Sequence, residues 1–193
     1  MDGTDVIMWF QGMHGSILDP IMVCLSYSMT LGATWIVLVA VLALRGRKRE
    51  AVFILVTLAI SVFMSSFLLK TVFDTARPFE VMPLDVLIPL PTDSSFPSGH
   101  ACNAFAGAVA ILLMDRRLGA AAIAYASLVC ISRIYVGVHW PADVIGGIAI
   151  GTAIAVTVYV LMCRHYGYRI GTRAPPETGG DPGRAYGSLL QKG

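Results

Sequence analysis

The chain has 193 residues, of which 56% are hydrophobic and 13% charged, and its formal net charge is +2. A soluble domain usually carries about 25% charged residues, and the mean hydropathy here is +0.71. This excludes an ordinary soluble globule, and the small net charge, with no basic patch beyond short loop clusters, excludes a nucleic-acid partner.

Apolar runs of roughly 15 to 21 residues recur, close to the ~20 that carry a helix across a bilayer. The expected fold class is all-α, a polytopic transmembrane helix bundle of about five spans preceded by an N-terminal interfacial helix. The cysteines Cys24, Cys102, Cys130 and Cys163 lie in apolar surroundings without C-x-x-C spacing. They read as small buried hydrophobes. No Lys or Arg precedes Arg45, so a cleaved signal peptide is not expected.

Residues 1–15 mix the apolar run Val6 to Phe10 with Asp2 and Asp5, and Trp9 and Phe10 suit a membrane interface. Asp19-Pro20 reads as a helix start, with Asp19 as N-cap and Pro20 in the first turn. A helix from Ile21 to about Thr30 is too short to span alone, and Gly32 follows it. Residues 16–30 therefore read as an in-plane or shallow re-entrant helix, or as an extension of the next span. Spans are expected at about 31–45, 51–70, 98–114, 119–138 and 143–163, with a Pro- and Asp-rich loop over 74–96. The chain then divides into an N-terminal segment 1–30, a transmembrane core 31–163 and a tail 164–193. The tail is polar and Gly/Pro-rich, which predicts disorder. No internal repeat is present.

Charge orients this bundle, because Lys and Arg flank the cytoplasmic ends of membrane helices. Arg45, Arg47, Lys48, Arg49, Arg116, Arg117, Arg164, Arg169 and Arg173 fall on one side of a five-span chain. The other side keeps only Lys70, Arg77 and Arg133 as cations, beside acids such as Asp19, Asp74, Glu80, Asp85 and Asp93. The expectation is an outer N-terminus, a cytoplasmic C-terminus and a site on the outer face.

Three polar clusters stand at that face. The first runs from Lys70 to Arg77-Pro78, the second is Pro97-Ser98-Gly99-His100, and the third is Ser132-Arg133 followed by His139 and Asp143. A histidine can attack phosphorus directly, and a carboxylate four residues on can fix its tautomer. Alternatively His139 is an interfacial residue beside Trp140, and Asp143 caps the last span. His100 follows a turn that opens a span, where free backbone N–H groups and the helix dipole favour an anion. Ser98 adds a hydroxyl, Gly99 permits close backbone approach, and His100 is placed to act as a general acid. Otherwise Ser98 is an N-cap and His100 a boundary residue. Arg133 lies within an apolar span, where a charge is expensive and usually functional. Three cations converging on one point need an anion, and a transferring phosphoryl group supplies one. Lys70 alone reads equally as a snorkelling helix end. Asp74, Asp85 and Asp93 have no convincing metal-ligand spacing, so no metal site is expected.

Together the clusters resemble the signature of the type 2 phosphatidic acid phosphatase (PAP2) superfamily, K-x6-R-P, then P-S-G-H, then S-R-x5-H-x3-D. Every position is met, by Lys70, Arg77, Pro78, Pro97, Ser98, Gly99, His100, Ser132, Arg133, His139 and Asp143. The resemblance covers about residues 15–163. It implies a PAP2-like helical core and a phosphatase that uses no metal or other cofactor. It also implies His139 as nucleophile, Asp143 as its orienting partner and His100 as the acid. Lys70, Arg77, Arg133, Ser98 and the Gly99 amide would bind the phosphoryl group.

The short five-span layout and Leu18-Asp19-Pro20 are most similar to the BcrC-type undecaprenyl-diphosphate phosphatases. Some of that subgroup carry Asp where Gly99 stands here. The implied function is hydrolysis of a polyprenyl diphosphate in the cell membrane. The alternative is a phosphatidic acid or phosphatidylglycerophosphate phosphatase of the same mechanism. A lipid phosphotransferase and a non-enzymatic membrane protein are further readings. Neither the lipid nor the oligomeric state follows from these residues.

Overall fold

The structure is a computed structural model and describes residues 3–166. Asp2, Arg169, Arg173 and the expected tail beyond 166 lie outside the described residues, as do the side chains of His165 and Tyr166. The described chain is helical and loop, with no strand.

Helix α1 (Gly3–Gln11) lies across the end of the bundle and buries Ile7, while Met8 and Trp9 stay exposed. α2 is Leu18–Ser28 and α3 is Ala33–Leu44. They meet at a 53° bend and together are long and apolar enough to cross a membrane. The bend is built at Leu31 (φ 49°) and Gly32 (φ 74°), both left-handed. The Tyr125 hydroxyl ties its two sides together, 2.6 Å from Ser28 Oγ and 2.8 Å from Thr34 Oγ1. This bent geometry accommodates both readings of residues 16–30, a re-entrant segment and an extension of the next span with a break. Asp19 is not the N-cap expected. It stands inside the first turn of α2, and its carboxylate accepts from the Gly15 N–H and the Tyr135 hydroxyl, so a tertiary contact displaces the cap. Cys24 is also exposed rather than buried.

The next rod runs from Lys48 to Val72 without interruption. It comprises α4 (Lys48–Val62), a π-helical segment (Phe63–Leu68) and α5 (Leu69–Val72). A π segment re-aims the side chains beyond it and is frequent at functional sites. A one-turn helix, α6 (Pro78–Val81), follows, and Glu80 caps it by accepting from the Arg77 N–H at 2.7 Å.

α7 (Gly99–Met114), α8 (Arg116–Tyr135) and α9 (Pro141–Tyr166) complete the bundle. α7 is the centre, packed most extensively on α9 and α8 and then on α4. Small residues permit this approach. A Cβ at Gly147 would stand 2.6 Å from Ser98 O, and one at Gly151 would stand 2.2 Å from Cys102 O. The pair forms a small-xxx-small face, the usual device for close helix contact in lipid. Asp115 caps α8 by accepting from the Arg117 and Leu118 N–H groups.

α4–α5, α8 and α9 are each long and apolar enough to cross a membrane. α7, at sixteen residues, is shorter. All five segments expected to span are helical, but one is half of a bent pair and another is this short central helix. The alternation of helix direction puts Lys70, Gly99, Arg133 and Pro141 at one end of the bundle. Arg45 to Arg49, Arg116, Arg117 and Arg164 stand at the other.

Candidate active site

The site grows from the turn between α8 and α9. α8 ends at Tyr135, Gly137 turns the chain with φ 79°, and α9 starts at Pro141. His139 sits within that turn and is 2% exposed. Asp143 is the third residue of α9, and its Oδ2 accepts from the Trp140 N–H at 2.8 Å, reaching back in the manner of a capping box. The same Oδ2 lies 3.5 Å from His139 Nδ1. That is long for a hydrogen bond, and Nδ1 has no other partner among the described residues. Asp143 thus serves both expected roles, helix cap and neighbour of the histidine. Burial pushes His139 well below the ordinary imidazole value, against the raising effect of Asp143 and with Arg133 and Arg77 adding to the fall. Burial therefore favours the neutral ring.

Six of the expected site residues line one cavity of about 180 Å³: Lys70, Arg77, Gly99, His100, Arg133 and His139. They come from four separate elements, α5, the loop before α6, the start of α7, and α8 with its following turn. Their separation in sequence disappears because these ends meet on one side of the bundle. The Gly99 and His100 N–H groups open α7 and have no acceptor within the helix. A Cβ at Gly99 would make ordinary contacts with Ser66 Oγ and Ser65 Oγ, at 3.5 and 3.7 Å. Packing alone therefore does not demand glycine there.

Ser98 is placed differently. It is buried outside the cavity lining, and its Oγ accepts from the Ala101 N–H as the α7 cap. Asp143 likewise stands behind His139 rather than in the cavity wall.

Arg133 is 4% exposed. Its Nη1 donates to Ser26 Oγ, while its Nε is buried without a partner among the described residues. No carboxylate lies within 4.0 Å of it among the described residues. A buried cation without a counter-ion is a demand for an anionic ligand. Arg77 is 1% exposed and is held by three backbone carbonyls: Nε donates to Asp93 O, Nη1 to Val138 O and Nη2 to Ser94 O.

Several lining residues were not expected from sequence. Thr30 and Leu31 enter at the α2–α3 break, Ser66 from the π segment, Asn103 one turn beyond His100, and Pro91 and Asp93 from the loop. Ser95 also matters, since its hydroxyl donates to Asp143 Oδ2 at 2.5 Å. The loop residues Val86, Leu87 and Ile88 pack against Tyr135, Val136 and Val138, roofing the turn together with Phe10 and Leu18. Asp93 bonds both Lys70 and Arg77, and these pairs outweigh its partial burial and hold its carboxyl below the usual range.

The geometry offers a neutral histidine backed by a carboxylate, a second histidine and three cations around one small cavity. The model of the PAP2 superfamily matches residues 50–166. The chain belongs to the PAP2 superfamily. It is 32% identical over 141 residues to the undecaprenyl-diphosphatase BcrC of Bacillus subtilis (strain 168), covering 73% of each chain. An undecaprenyl-diphosphatase of Sulfolobus acidocaldarius is 41% identical over 123 residues, covering 63% of this chain and 60% of that one. A transmembrane PAP2-type phosphatidylglycerolphosphate phosphatase from Bacillus subtilis shares the fold, with a TM-score of 0.73 over 86% of this chain and 87% of that one at 22% identity. The protein is thus a PAP2-family membrane phosphatase acting on a lipid phosphate.

Proposed function

We propose that the protein removes the terminal phosphate from a polyprenyl (undecaprenyl-type) diphosphate at the outer membrane face, through a phosphohistidine and without a metal. The observation that carries this is the shared cavity, which brings His139 and His100 together with Lys70, Arg77 and Arg133. The substrate class is supported by the two undecaprenyl-diphosphatase relatives.

With Nδ1 turned to Asp143, Nε2 of His139 attacks the terminal phosphorus. The bond from phosphorus to the bridging oxygen breaks, and His100 gives that oxygen its proton. The products are the lipid monophosphate and phosphorylated His139. Water then attacks phosphorus, with His100 taking its proton, and inorganic phosphate leaves while His139 is restored. Lys70, Arg77, Arg133 and the first N–H groups of α7 neutralise the equatorial oxygens in both steps. Ser98 holds the start of α7 in place. The basic ends of the helices lie opposite the cavity, which supports an extracytoplasmic site by the positive-inside rule. The core 31–163 carries the catalytic and phosphate-binding residues, and Ser26 and Thr30 of the N-terminal segment reach the site as well.

The test is phosphate release by the purified protein in EDTA, from undecaprenyl diphosphate against phosphatidic acid. Preference for the diphosphate supports the proposal. Preference for phosphatidic acid keeps the mechanism and replaces the substrate. Release from neither, across a wider lipid panel, removes the reading.

A further inference from the structure

Asp93 occupies the position of an anion in the clamp. Its Oδ2 lies 2.6 Å from Lys70 Nζ, and its Oδ1 lies 2.6 Å from Arg77 Nη2. Two carboxylate oxygens bridging a lysine and an arginine reproduce what two equatorial phosphoryl oxygens would do there. Among the described residues no other carboxylate comes within 4.0 Å of a clamp cation.

The hydrogen-bond count makes the overlap concrete. A guanidinium has five N–H donors. Arg77 directs three to backbone carbonyls of Asp93, Val138 and Ser94, and a fourth to Asp93 Oδ1. One Nη1 hydrogen is left for a ligand. A phosphoryl group gains the outer edge of Arg77, and the whole of Lys70, only by displacing the Asp93 carboxylate. Exposure says which partner yields, since the Arg77 side chain is 2% exposed and that of Asp93 is 52% exposed. The cation is fixed by the backbone, and the carboxylate has solvent to move into.

We propose that Asp93 is a built-in anion that competes with the phosphoryl group for Lys70 and Arg77 and so promotes release of the phosphate product. It weakens every phosphoryl ligand of the clamp. A lipid substrate keeps the contacts of its tail and still binds, whereas inorganic phosphate has no tail and is released. Being tethered, the carboxylate acts at a high effective concentration. The inference rests on the assignment of Lys70, Arg77 and Arg133 as the phosphate clamp.

The experiment is competitive inhibition by inorganic phosphate, measured on the full chain for the wild type, Asp93→Asn, Asp93→Glu and Lys70→Ala. Loss of two partly exposed charge pairs should lower the phosphate inhibition constant of Asp93→Asn by about tenfold. Asp93→Glu should return it to within a few-fold of wild type. If Asp93 merely braces the clamp, Asp93→Asn will be inhibited more weakly, and that result or no change overturns the proposal. Lys70→Ala separates the two levels. Weaker phosphate inhibition in that variant upholds the clamp whatever Asp93 does. Unchanged inhibition there removes the clamp and this proposal with it. For a variant without turnover, the rise in melting temperature on adding phosphate gives the same comparison.

Discussion

The Ser95 hydroxyl donates to Asp143 Oδ2 at 2.5 Å. Asp143 faces His139 Nδ1 at 3.5 Å, so Ser95 reaches the histidine only through the carboxylate. Ser95→Ala should leave Asp143 in place but less firmly held. Losing one hydrogen bond to a charged group predicts a fall in kcat of about tenfold with KM little changed. Asp143→Asn should fall further, by roughly 10³–10⁴, because the tautomer of His139 is then no longer set. Steady-state kinetics of both variants check the ranking. Equal losses would place Ser95 in direct contact with the substrate.

Arg133 sets stability against function. It is buried, bonded to Ser26 and, among the described residues, without a carboxylate within 4.0 Å. Arg133→Met should therefore melt no lower than wild type, and as much as about 2 kcal/mol more stable. Its kcat/KM should fall by roughly 10²–10³. Thermal unfolding in detergent and turnover of the same preparation test both halves. A variant that is both less stable and fully active would contradict this.

The α7–α9 contact is close enough that one methyl group matters. Gly151→Ala would put a Cβ 2.2 Å from the Cys102 carbonyl oxygen, which forces the two helices apart. A cost of about 2 kcal/mol or more is expected, read as a lowered melting temperature. Gly46→Ala is no sterically matched control, because its φ of 77° strains any side chain. Gly15→Ala, with nothing within 4 Å, should be close to neutral.

The neutral state of His139 makes stability depend on pH. Its folded pKa is lowered, mainly by burial, from the ordinary value of 6.5. Below that value the unfolded chain binds a proton that the folded protein refuses. This part of the stability is complete above about pH 6.5 and is lost as pH falls toward the folded value. Melting temperatures between pH 8 and 5 should decline more steeply for wild type than for His139→Gln. Equal slopes would mean that the imidazole is not held neutral. Asp93, whose carboxyl is also lowered, adds a smaller loss in the same direction at still more acid pH.

The residues legible in the sequence were those with both a chemical oddity and a fixed spacing. Lys70 with Arg77, His100 after its Pro-Ser-Gly turn, and Arg133 with His139 all proved to share one cavity. Ser95, Asp93 and Ser26 were not legible as site residues. Each is an ordinary polar residue in a loop or helix turn, and only chain closure brings it to Asp143, Lys70 or Arg133. Apolar runs located the helices because lipid and core both select them, so composition separates span from loop. It does not show how a run bends. Gly32 hinted at the break after residue 30, but the left-handed Leu31 and the Tyr125 tie depend on tertiary contacts. Asp19 failed as an N-cap for the same reason, since the Tyr135 hydroxyl holds its carboxylate.

The central claim is that His139 carries the phosphoryl group. The direct measurement is acid-free quenching of the purified protein during turnover of a lipid diphosphate labelled with ³²P in its terminal phosphate. The account predicts protein-bound label that survives alkali, is lost in acid, maps to the peptide containing His139 and is absent from His139→Ala. Turnover by His139→Ala at a rate near wild type, or label on another residue, would contradict it.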